Sequence, residues 1–115
     1  MANEPILPAG FEDLAPFVEH WAHDGFQTRW DARAKAEMPE IQAFYEAMLP
    51  RAEAALAVIQ PFNLEQLTGP MARLYKLVLG LAHAAMAVEV HGAPRAKYSP
   101  YPHTIRVAVG PEPFA

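Results

Sequence analysis

The chain has no cysteine, and this one absence removes disulfides, zinc–thiolate sites, iron–sulfur clusters and thiol nucleophiles together. Its single serine, Ser99, sits in a proline-rich stretch, so a serine nucleophile with a neighbouring base is not expected. The six glycines stand singly and cannot assemble a phosphate-cradling loop. Positive charge is sparse as well. Nine scattered lysines and arginines face thirteen acidic residues, for a formal charge of −4. With no basic stripe to neutralise phosphates, nucleic acid is not an expected partner. The opening "MANEPILPAG" lacks the basic and apolar regions of a secretion signal, which makes cytoplasmic the default expectation.

What is present fits one domain. At 115 residues, 52% hydrophobic and 19% charged, the chain has room for one core without a disulfide or structural metal. Twelve prolines divide it into a leader (1–10), a helical domain (11–92) and an extended C-terminal arm (93–115).

Leu14, Phe17, Val18 and Trp21 follow helical spacing, predicting a helix capped by Asp13 and stopped by Gly25. A short second helix is expected from Thr28 to Glu37. From Pro39 the apolar stripe Ile41, Phe44, Tyr45, Met48, Ala52, Ala55, Leu56, Ile59 keeps phase through Pro50. That predicts one long bent helix, with the proline on its outer side. Asn63 reads as the cap of a single turn. The last helix, Pro70 to Val90, is apolar almost all round and ends at Gly92; it is expected to be the central helix. His83 and Glu89 interrupt it, so it reads as too short to span a bilayer, and no membrane association is expected. The fold expected is all-α: a small helical bundle with one bent long helix, a central apolar helix and a proline-rich arm.

The central helix carries a stripe of small residues, Gly80, Ala84 and Ala87, on which another helix could close. A second copy of the chain is the expected occupant, giving a homodimer. In the arm, Ile105, Val107 and Val109 alternate with Thr104, Arg106 and Ala108, the period of a strand. Such a segment either covers its own helices or pairs with a partner's sheet edge.

Candidate chemistry concentrates in histidine. "FVEHWAHDGF" places His20 and His23 three residues apart, with Asp24 beside the second. Neighbours at i, i+3 can share a divalent ion, given a third ligand from His83, Glu46, Glu53, Glu89 or His91. The Glu-x-x-His and His-Glu-x-x-His spacings are missing, and the alternative is the solvated back of a helix. His83, inside an apolar helix, is either a general base in a ligand pocket or a hydrogen-bonded core residue. Trp21, Phe26, Trp30, Phe44, Tyr45, Tyr75, Met48 and Met86 could line a cavity for a flat apolar ligand or simply form the core. The ligand-contacting set expected from these is His83, Tyr45, Tyr75 and Trp21. No cofactor is implied.

The segments "GFEDLAPFVEHWA", "MPEIQAFYEAMLPRAEAALAVIQPF" and "VEVHGAPR" together resemble a family of short, uncharacterised bacterial helical proteins, often encoded beside catabolic genes that include aromatic-ring-hydroxylating oxygenases. The resemblance covers roughly residues 10 to 95 and misses the arm. Its motifs are packing motifs, so it carries over no catalytic residue. It implies an accessory role in catabolism. The expectation is a soluble accessory protein, not itself an enzyme, that binds a partner such as a catabolic enzyme. The alternative is a small-molecule binder or small helical enzyme using His83 or the His20/His23 pair.

Overall fold

Proline decides how the first element winds in the computed structural model, which describes residues 5–94. Glu12–Phe17 is a 3-10 helix with Pro16 inside it, and only Val18–Trp21 (α1) is α-helical. Proline disfavours α conformation in the residue before it and supplies no N–H. Asp13 is therefore not the helix cap expected. Its carboxylate instead accepts from Arg51 Nη1 at 2.9 and 2.6 Å, and the guanidinium holds the carboxyl below its ordinary range. Arg51 also donates to the Gly10 carbonyl and lies 5.0 Å over the Phe11 ring, fastening the long helix to the start of the chain.

Gly25 was expected to end the first helix; it is instead the extended N-cap of α2, Phe26–Lys35, which begins two residues before Thr28. A capping box of Glu37 and Glu40 opens α3, Met38–Met48, with Pro39 in its first turn. After Met48 the backbone stays right-handed through a 3-10 turn, Leu49–Arg51, and resumes as α4, Ala52–Ile59. This is the single bent helix that the stripe predicts. Pro50 is exposed on it, where the missing hydrogen bond leaves a carbonyl to water. Asn63 Oδ1 accepts the Glu65 N–H at 3.0 Å and caps the short 3-10 turn Leu64–Gln66.

The last helix, α5, runs Gly69–Ala85 and continues as a π-helix, Met86–His91. Gly92 ends it at φ +66°, a left-handed conformation that costs a residue without a Cβ little. Helix α5 is central as expected, packing against α1, α2, α3 and α4. One expectation about it is corrected: Gly69–His91 is long and apolar enough to cross a membrane by length and composition. Leu74, Leu77 and Ala84 are fully buried against the other helices, while Met86 and Val90 are exposed. Among the described residues every element is helical, and the fold is all-α.

The core centres on Phe44. Trp21 stacks on it at 4.5 Å between ring centroids and 3° between planes, and Phe17 tilts against it at 5.5 Å. Directly beneath lies Gly80, where a Cβ would come 2.9 Å from the Trp21 carbonyl oxygen. The small-residue stripe is thus consumed inside the protomer. Gly80, Ala84 and Ala87 are all buried, which corrects the expectation that a second copy closes on them. The leader also belongs to the packed unit, because Leu7 is buried in the core and the Ile6 carbonyl accepts from Arg73 at 3.1 Å. Ile105, Val107 and Val109 lie outside the described residues.

Candidate functional site

The three expected metal ligands do not converge. His20 Nε2 donates to the Ala32 carbonyl at 3.3 Å, and His23 Nε2 donates to the His20 carbonyl at 2.5 Å. A carbonyl only accepts, so each ring carries its proton on Nε2 and that atom cannot ligate a metal. Asp24 Oδ1 pairs with Lys76 Nζ at 2.7 Å. No group of three or more metal-capable side chains occurs among the described residues. His20 packs edge-on to Trp21 at 4.8 Å, so it joins α1 to α2 rather than facing water. The histidine motif is a helix-to-helix clasp. Arg29 completes it, donating to the His23 and Asp24 carbonyls at 3.4 and 3.1 Å.

The expected ligand-contacting set is also divided. Trp21 is buried core. The Tyr45 hydroxyl donates to the Glu89 carboxylate at 2.5 Å, which ties α3 to the π-helix and pushes the phenol's pKa above its ordinary value. Because the folded-state pKa is the higher one, this contribution is complete at neutral pH and is lost only as pH climbs past the ordinary tyrosine range. Tyr75 borders a groove of about 460 Å³ with Leu56 and Leu64, whose lining includes the polar Glu53 and Gln60.

His83 sits in a second, more apolar groove of ligand size. The groove holds about 580 Å³, within the span of small-molecule sites, and runs between α2 and the C-terminal part of α5. One wall is Phe26, Trp30 and Arg33, which recur at i, i+4 and i+7 on α2. The other is Ala82, His83, Met86 and His91. Phe26 meets the His83 ring at 4.8 Å and Trp30 at 6.3 Å, both edge to face. The π-helix is what brings His91 to this wall. Five α steps from Met86 would turn a side chain by about 140°, whereas five π steps, at roughly 82° each, turn it by only about 50°.

Arg33 is the charged member of the lining. It is 7% exposed, its Nε is sealed without a hydrogen-bond acceptor, and burial alone pushes its pKa below the ordinary arginine value. A reading of α2 from Thr28 onward separates Phe26 from the helix and hides the stripe that Arg33 completes. The signal was the spacing Phe26, Trp30, Arg33, interpretable once Gly25 is taken as a cap. No family model, curated protein or solved structure matches the chain.

Proposed function

We propose that the protein binds a small, largely apolar molecule in the groove between α2 and α5. The supporting observation is the groove itself: a lining of Phe26, Trp30, Ala82 and Met86 with only a few polar groups, the composition that ligand sites share. His83 is one of those polar groups, and no group of three or more metal-capable side chains occurs among the described residues. The reading is one of binding, carried by the shape and apolar lining of the groove. Soluble, cytoplasmic residence and a link to aromatic catabolism belong to the same proposal and rest on the sequence alone.

Ala82 provides the test, because it is exposed on α5 and faces the groove. Ala82→Phe should plug the groove while leaving the core untouched, at a helix-propensity cost of about 0.5 kcal/mol. In a thermal-shift panel of apolar acids, amides and alcohols, the wild type should gain stability with at least one class. Ligand at a hundred times its Kd adds roughly 2.7 kcal/mol, and the Ala82→Phe protein should gain none. A wild type that responds to no compound in the panel would sink the proposal.

A second reading, docking of a protein partner, has its own support. Leu49 and Leu56, 50% and 47% exposed, lie seven residues apart on one helical path, and Phe62 follows at 53%. Contiguous exposed apolar patches mark interaction surfaces, and these three side chains are the candidates to form one. A second copy of the chain is the partner to test first. Light scattering should then give a dimer for the wild type and a monomer for the Leu56→Glu, Phe62→Ser double variant. A monomeric wild type at high micromolar concentration removes self-association.

A further inference from the structure

The groove contains one charge that no ion pair among the described residues answers. Two arginines of α2 are buried. Arg29, 5% exposed, donates from Nη1 to the His23 and Asp24 carbonyls, although its Nε is buried without an acceptor. Arg33, one turn on and 7% exposed, has no such carbonyl partner among the described residues: its Nε likewise meets no acceptor, and the ion pairs Arg51–Asp13 and Lys76–Asp24 pass it by. A desolvated cation without a counter-charge is costly to keep. Packing of its carbon stem repays part of that cost, as long basic side chains commonly do, but does nothing for the guanidinium.

We propose that Arg33 is the anion anchor of the groove, and that the ligand is a monocarboxylate with an apolar body. The inference rests on the groove being a ligand site and adds the chemical class. A planar guanidinium fork matches a planar carboxylate through two parallel hydrogen bonds. One cation answers one negative charge; a phosphate monoester would need a second, which in a lining completed by Phe26, Trp30, Ala82, His83, Met86 and His91 only a protonated imidazole could supply. Those walls suit a body of roughly ten to twenty non-hydrogen atoms.

The test pairs each acid with its uncharged isostere on the full chain. Calorimetric titrations use 4-phenylbutyrate and 4-phenylbutyramide, octanoate and octanamide, and octyl phosphate, with the wild type and Arg33→Met. The wild type should bind each acid roughly 10- to 100-fold more tightly than its amide, the worth of a charge-assisted hydrogen-bond pair. Arg33→Met should lose that preference while keeping its affinity for the amide, which also shows that the variant is folded. Equal binding of acid and amide by the wild type overturns the carboxylate and leaves the groove as a ligand site. Binding of neither removes the groove reading with it. Tighter binding of octyl phosphate than of octanoate overturns the monocarboxylate in favour of a phosphate monoester. Should Arg33→Met fail to fold, the acid-to-amide ratio in the wild type decides the matter alone.

Discussion

Phe44→Ala should lower the stability of the protein by about 3–5 kcal/mol, the range for removing a large aromatic from a packed core. Phe44 is fully buried, and it is the surface on which Trp21 stacks and against which Phe17 tilts. Truncating it takes away the buried ring, the stacking contact and the support of α1 at once, and the four-residue α1 has little else to hold it in register. A domain of this size is stable by only about 5–15 kcal/mol, so the loss is a large fraction of the whole. Urea unfolding followed by far-ultraviolet circular dichroism should show the midpoint falling with little change in slope. Phe44→Leu, which keeps most of the volume, should cost less than about 1.5 kcal/mol if side chains repack. A Phe44→Ala protein within 1 kcal/mol of the wild type would mean that the aromatic stack is not the centre of the fold.

Gly80 gives the second large effect, and its sign separates two mechanisms. In an exposed helix interior, Gly→Ala stabilises by about 1 kcal/mol through backbone entropy. At Gly80 the added Cβ would stand 2.9 Å from the Trp21 carbonyl oxygen, a backbone atom that cannot swing aside. Gly80→Ala should therefore destabilise, reversing the propensity trend. Gly80→Val, with two further carbons and the Phe44 ring edge only 3.6 Å from the new Cβ, should cost about 2–3 kcal/mol. Thermal unfolding of both variants is sufficient, at roughly 4–8 °C for each kcal/mol. A Gly80→Ala protein that melts above the wild type would show that α1 does not sit directly on the backbone of α5.

These two residues also show how far the sequence could be read. The stripe from Ile41 to Ile59 specified a helix continuing through Pro50, because one apolar face in constant phase has only one way to meet a core. It likewise marked α5 as central and Gly92 as its end. Periodicity locates a face but not what the face meets. The stripe at Gly80, Ala84 and Ala87 was visible as a close-approach surface, yet nothing in the letters says whether a second copy or Trp21 of the same chain closes on it. The histidines failed for a related reason. Side-chain spacing cannot reveal that backbone carbonyls, at His20 and Ala32, will claim the ring nitrogens. Arg33 was hidden by its type, since a pattern that scores arginine as polar turns it outward, whereas α2 has few large apolar residues and buries arginine stems in their place.

The π-helix at the end of α5 changes what kind of information specifies the groove. Most of the lining depends on residue type: a ring at Phe26 or Trp30, a cation at Arg33. The position of His91 depends on arithmetic. Wider winding accommodates more residues per turn than an α-helix does, so Met86–His91 stores surplus length without leaving the helical axis. The direction of the side chain beyond that turn is set by how many residues precede it. At the exposed Val90 a substitution should leave the groove's rim in place, provided the winding survives, whereas Ala87 in the core and Glu89 on Tyr45 are fixed by their own contacts. One residue fewer would let the segment relax to α winding and turn the rim residue away. In this part of the molecule the count of residues is part of the specification, alongside the contacts of Ala87 and Glu89.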